Sequence, residues 1–175
     1  MLTQVYEIST PEEARALAAI GIDHVGVLVG NGQFPREQPI AAATRIAAEI
    51  VPPARFAALF LTADTPLIKA WVNELCPSIV HLGAAPELLS PTQVRQLKQK
   101  LPGRLIMRSV PVFGDESIAI AQSYDSIADY LLLDSYRPFD PADRSTWRDT
   151  RLADQPAHRG GGAYPRPSRG RPWSR

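Results

Sequence analysis

The chain has 175 residues, 45% hydrophobic and 21% charged, with a formal net charge of +1. That length suits one domain with one core. No apolar run approaches the roughly 20 residues of a membrane-spanning helix. The N-terminus has no basic flank leading into an apolar signal region, and the lone Cys76 excludes an internal disulfide or a cysteine-based zinc cluster.

In chain order, the residues up to 135 alternate between two textures. Short β-rich runs are Gln4–Ile8, His24–Val29, Phe56–Leu61, Ser78–Leu82, Arg104–Ser109 and Asp129–Leu133. Several are almost continuously apolar, as in Val25-Gly26-Val27-Leu28-Val29, which suits parallel strands buried on both faces. Helical stretches lie between them and carry clear start signals. Thr10-Pro11-Glu12-Glu13 reads as an N-cap, a first-turn proline and a capping-box glutamate, and Ser90-Pro91-Thr92-Gln93 and Asp64-Thr65-Pro66 use similar grammar. Gly21 and Pro102-Gly103 supply stops. Apolar stripes at helical spacing run through Ala14, Leu17 and Ala18, and through Ile40, Ala43, Ala47 and Ile50. The result is six βα-type repeats about 25 residues apart, hence right-handed crossovers and a parallel sheet. Periodicity leaves an open doubly wound sheet and a (β/α)8 barrel equally available.

Either architecture places a site at the C-terminal ends of the strands. The candidates there are Glu7, Ser9 and Thr10; the Gly30-to-Arg36 loop; His81-Leu82-Gly83; Arg108, Ser109 and the Phe113-Gly114 turn; and Asp134-Ser135. Asp134 follows Leu131-Leu132-Leu133 directly, so an apolar strand delivers a carboxylate to the mouth, where partial burial favours general-acid work. Arg36 offers a fork for a carboxylate or a phosphate. The Gly30-Asn31-Gly32 run is read as a turn. Cys76, at a helix end before the fourth strand, is expected to be a small buried hydrophobe. His24, His81 and His158 show no metal-ligand spacing, and nothing calls for a metal or a cofactor.

Taken together these segments resemble the phosphoribosylanthranilate isomerase family of tryptophan biosynthesis, from about Gln4 to Ser135. The resemblance is carried by Ile8-Ser9-Thr10-Pro11-Glu12-Glu13-Ala14, Gly21-Ile22-Asp23-His24-Val25-Gly26-Val27-Leu28, Phe34-Pro35-Arg36, Val80-His81-Leu82 and Ala128 to Ser135. It implies a (β/α)8 barrel of which residues 1–135 supply about six βα units. It implies a cytoplasmic isomerase acting on a small phosphorylated sugar substrate, without a cofactor, by Amadori rearrangement. It places Asp134 as general acid and Arg36 on the anthranilate carboxylate. The family's Lys-x-Cys-Gly, with its cysteine base, falls on Gln4-Val5-Tyr6-Glu7, so Tyr6 takes the base position with a reference pKa of about 10. Strand alternation points the adjacent Glu7 to the opposite face. Gly83 stands at the place of the family's strand-four histidine.

Residues 136–175 are different in kind. They carry nine Arg, no Lys and four Asp, with 6 of the 17 Pro and 4 of the 11 Gly, whereas residues 1–135 carry 10 Lys+Arg against 14 Asp+Glu. Of Val, Ile, Leu, Met and Phe the tail holds only Phe139 and Leu152, too little to offset its ordering entropy, so disorder is expected. The abrupt shift suggests sequence foreign to a barrel, such as an out-of-frame or truncated end. A second functional reading is a non-catalytic or altered-ligand barrel relative. Nucleic-acid binding by the tail is disfavoured by its interspersed aspartates.

Overall fold

The computed structural model describes residues 1–134, so the expected tail, 136–175, lies outside the described residues. Eleven elements follow one another: β1 Gln4–Val5, α1 Pro11–Ala19, β2 His24–Leu28, α2 Ile40–Ala47, β3 Arg55–Phe60, α3 Thr65–Leu75, β4 Ile79–Leu82, α4 Pro91–Gln99, β5 Leu105–Pro111, α5 Glu116–Ser123 and β6 Tyr130–Asp134. Every strand pairs in parallel with its neighbour in sequence, in the order β1-β2-β3-β4-β5-β6. A doubly wound sheet reverses its strand order at a switch point, whereas a barrel winds in one direction. The observed order is the second kind.

Contacts across the sheet show how far it curls. The Tyr6 hydroxyl, just past β1, donates to Met107 Sδ on β5 at 3.2 Å. The rings of His24 on β2 and Tyr130 on β6 lie 5.5 Å apart, edge to face. Four strand spacings in a flat sheet amount to about 19 Å. The sheet is therefore rolled into an incomplete (β/α)8 barrel, and side chains meet across its interior.

The helices begin where the sequence signals them. Thr10 and Ser90 close capping boxes with Glu13 and Gln93, and the Asp64 side chain accepts from Leu67 N–H. Strand alternation then separates two cores. Val25, Val27, Phe56, Ala58, Phe60, Val80, Leu82 and Ile106 face the helices and pack with Ala14, Ala43, Ile46, Ile68, Val72 and Leu97. Ala57, Ile79 and Met107 face inward with Tyr6, Leu105, Tyr130 and Leu132. The expected stripe of Ile40, Ala43, Ala47 and Ile50 packs against the first core, and Ile46, which that stripe did not include, is the most buried large residue of α2. The first strand ends at Val5 rather than Ile8, because Glu7 adopts φ +59° and leaves the pleat.

An aspartate pins each edge strand. Asp23, preceding β2, accepts from Thr3 N at 2.7 Å and Thr3 Oγ1 at 2.8 Å, and these bonds hold its carboxyl below the usual carboxylate range. Asp129, preceding β6, accepts from Ile106 N at 2.7 Å and Lys98 Nζ at 2.9 Å. Partial burial raises the Asp129 pKa, but those two partners outweigh it and the net shift is downward. A carboxylate with a lowered folded pKa contributes stability that is present above its unfolded value near 3.9 and lost as pH falls through the folded one. Asp129→Asn should therefore cost about 1–2 kcal/mol at pH 7, the scale of charge-assisted hydrogen bonds discounted for partial exposure. It should also shrink the further loss below about pH 4. Urea midpoints measured against pH check both.

Candidate functional site

The C-terminal ends of the strands carry three groups of polar residues. The first is built by the loops after β1 and β2. The longer loop is closed at its base by Gln38, whose N–H donates to Leu28 O at 2.7 Å and whose carbonyl accepts from Gly30 N at 3.1 Å. Inside it Glu37 accepts from Gln33 N at 2.8 Å and Phe34 N at 3.3 Å, with its carboxyl lying against Gly30. A Cβ at position 30 would land on that carboxyl, so any larger residue there would have to displace the Glu37 side chain. The turn reading of Gly30-Asn31-Gly32 fits this, and Gly32 sits at φ +82°.

Arg36 stands at φ +65° in this loop, and its Nη1 donates to Glu7 Oε2 at 2.7 Å. Both residues are in the left-handed region, at roughly 1–2 kcal/mol each for a non-glycine residue. They line an open depression of about 300 Å³ with Ser9, Glu13 and Gln38. The strand-alternation expectation for Glu7 is thus corrected. The chain has left the pleat at this residue, and the carboxylate comes to the mouth beside Arg36.

The second group is an inner layer below the mouth. His81 on β4 and Ser109 on β5 share a 2.7 Å hydrogen bond between Nε2 and Oγ. Burial, helped by the nearby Arg108 charge, pushes the His81 pKa from 6.5 down to about 3. Among the described residues its Nδ1 has no partner. The Tyr6 ring lies 5.1 Å from the His81 ring and packs so closely on Gly26 that a Cβ there would enter it. Burial drives the Tyr6 hydroxyl pKa well above its ordinary value, outweighing a lowering hydrogen bond with Gln4. Tyr6 is a packing residue whose phenol stays protonated at any working pH, which removes the chemistry expected of a base. Above Gly83, a side chain would meet Leu59 and Leu61, so this strand end is lined by leucines.

The third group is Asp134. It pairs in register with Pro111, as Leu132 pairs with Ser109 and Tyr130 with Met107, so it lies on the inner face, roughly 7 Å beyond the His81–Ser109 layer along the strand. The residue is exposed, not partly buried as expected. It does not line the Glu7–Arg36 depression.

Two other candidates move away from the site. Arg108 pairs with Leu131 and Leu82 on the helix-facing side of the sheet. It is wholly buried there, donating to Leu82 O at 2.7 Å with its guanidinium 5.0 Å above the Tyr124 ring. Cys76 is exposed, not buried, because it caps α3 in the left-handed conformation at φ +50°. Sequence reasoning missed the placement of Glu7 and the His81–Ser109 bond. The signal for Glu7 was available, since it falls where the resembled family has a glycine, a residue suited to positive φ.

No protein-family model matches the chain. The chain is 27% identical over 138 residues to N-(5'-phosphoribosyl)anthranilate isomerase of Synechococcus sp., covering 79% of this chain and 58% of that protein. It is 30% identical over 128 residues to the enzyme of the same name from Azorhizobium caulinodans, covering 73% and 54%. Thus the chain spans a little over half the length of the curated relatives it matches. The fold matches the crystal structure of phosphoribosyl anthranilate isomerase from Thermus thermophilus with a TM-score of 0.66 at 20% identity, over 79% of this chain and 64% of that one. It also matches a phosphoribosyl anthranilate isomerase in complex with reduced 1-(o-carboxyphenylamino)-1-deoxyribulose 5-phosphate, with a TM-score of 0.62 at 21% identity, over 78% and 66%.

Two outcomes follow from the inner layer. The His81 imidazole signals in NMR should hold their neutral positions from pH 8 to about 4. An unfolded histidine takes its proton near 6.5 and the folded one only near 3, so the stability tied to His81 is complete above 6.5 and lost as pH falls toward 3. His81→Gln should flatten that slope. Separately, Gly26→Ala should destabilise by about 1–3 kcal/mol through overpacking, and adding Tyr6→Ala should relieve the clash, giving a non-additive double-variant cycle in urea.

Proposed function

We propose that this chain, a divergent member of the phosphoribosylanthranilate isomerase family, binds a phosphoribosyl amine and promotes its Amadori rearrangement. In this reading the guanidinium of Arg36 receives the aromatic carboxylate. Asp134 donates its proton to the ribose ring oxygen as the C1–O bond breaks and the nitrogen lone pair forms the C1=N bond. The C2 proton then passes to water, giving the enol amine, which becomes the 1-amino-1-deoxy ketose as the enol O–H proton is exchanged for one at C1. The observation that carries the reading is Asp134, set by the β5–β6 register on the inner face at the end of the last described strand. A relative bound to a phosphorylated ribulose analogue supports the ligand class. A cytoplasmic setting fits a chain with one exposed thiol.

One observation favours a second reading, a relative that binds such a ligand without turning it over. The base position is filled by Tyr6, whose hydroxyl is raised in pKa by burial and donates to Met107 Sδ. The purified chain, with folding verified by circular dichroism, should be supplied with phosphoribosylanthranilate made in situ. Loss of the anthranilate-type fluorescence of the substrate should follow. Asp134→Asn should lower that rate about 10²–10⁴-fold, the usual contribution of a general acid. Complementation of a tryptophan auxotroph lacking the isomerase gives the parallel test. Growth rejects the second reading, and no growth by a folded chain rejects the first.

A further inference from the structure

Four non-glycine residues among those described adopt positive φ: Glu7, Arg36, Cys76 and Ser126. Cys76 has a local reason, because it caps a helix. Ser126 follows Asp125, whose side chain accepts from its N–H at 3.0 Å. The other two lie in different loops, after β1 and after β2, and they are the two partners of one ion pair at 2.7 Å. Backbone strain that recurs on both sides of a single contact marks a place where side-chain position is being held against local preference.

The carboxylates around the depression are not equivalent. Glu13 is committed to its capping box, accepting from Ser9 N at 2.9 Å and Thr10 N at 3.2 Å. Glu37, in the neighbouring loop, is committed to Gln33 and Phe34. Glu7 has no hydrogen-bond partner among the described residues except Arg36. The Arg36 carbonyl is held by Gln38 Nε2 at 3.1 Å, while its guanidinium reaches Glu7. A carboxylate on one arm of a guanidinium fork, at a cavity mouth, is what a bound oxyanion would look like.

We infer that Glu7 is a built-in competitor for Arg36, occupying the place of an incoming carboxylate or phosphate and setting the selectivity of the mouth against weakly held anions. The inference rests on the reading of Arg36 as the ligand's arginine. A ligand with enough other contacts displaces Glu7; a small anion gains little by doing so. The pair is partly exposed on both sides, with side-chain accessibilities of 61% for Arg36 and 43% for Glu7, so the competition is modest in size.

The test uses the full chain and two probes that separate the anion chemistries, anthranilate for a carboxylate and inorganic phosphate for a phosphate. Binding is followed by NMR at the Arg36 Nε–H and by protein chemical shifts. Glu7→Gln should tighten binding of at least one probe about fivefold, the scale of an exposed ion pair. Glu7→Gly should do the same, since glycine adopts this φ without strain and guards against an ill-formed glutamine variant. Glu12→Gln removes a neighbouring charge outside the depression and should change affinity less than twofold. The gain should vanish in Glu7→Gln combined with Arg36→Met. The inference is overturned if neither Glu7 variant gains, or if the gain survives without Arg36. Arg36→Met weakening binding while the Glu7 variants gain nothing would leave the functional reading standing and remove the competitor. If no variant binds either probe, Arg36 is not an anion site and both fall.

Discussion

The roll of the parallel sheet is the constraint on which the rest of the site depends. Strands four apart meet through the interior, as Tyr6 meets Met107 and His24 meets Tyr130. Flat strands would hold those partners about 19 Å apart. Once the sheet is rolled, the pleat decides which residues converge. Gln4, Tyr6, His24, His81, Met107, Ser109 and Tyr130 are brought into one polar and aromatic layer, while Arg108, one residue along from Ser109, is sent to the helices. The two edges need fastening because a rolled sheet gains its interior contacts only if the end strands stay in register. Asp23 and Asp129 do this with side-chain bonds that continue the backbone ladder.

That layer also explains why the aromatic ring at position 6 changes the chemistry rather than only the residue name. A phenol is large, and here it fits because Gly26 offers no side chain beneath it. Its hydroxyl is taken out of water and turned toward a thioether, a weak acceptor. Both effects favour the neutral phenol. His81, next to it, is held neutral by the same burial, which lowers its pKa because the form penalised is the imidazolium. The interior is therefore rich in titratable groups and nearly free of charge. The acidic and basic side chains of the mouth, Glu7, Arg36 and Asp134, stand at the rim.

Much of the fold was legible in the sequence because its signals are local. Capping boxes at Thr10 and Ser90, the N-cap at Asp64 and the continuous apolar strands each act within a few residues, and each appears in the structure. Choosing between a wound sheet and a barrel needed strand order, which is a non-local property. The misplacements share a cause. Glu7 was assigned by strand alternation, which holds only while the backbone stays extended, and φ +59° ends that. Cys76 was assigned by the burial habit of cysteines, but a left-handed helix cap turns it outward. Arg108 sat near a strand tip, but the register sends its side chain to the other face. Residue identity and sequence position carried the secondary structure; backbone conformation at single residues decided the site.

Glu7 also changes what Arg36 means. An unengaged arginine at a barrel mouth is a general anion trap, and selectivity must then come from elsewhere. An arginine already bonded to a carboxylate attracts other anions less, and the difference is graded by how many further contacts a ligand makes. The left-handed backbone at both partners works against the pair locally, so the contact persists because the loops that carry it are fixed by other bonds. Gln38 closes one loop onto β2, and the Ile8 N–H bond to Gly26 O at 3.1 Å fixes the other. The rim is thus preorganised by the scaffold in a self-neutralised state. Replacing its positive-φ residues with glycine would relax the backbone but also remove the charges that give the mouth its selectivity.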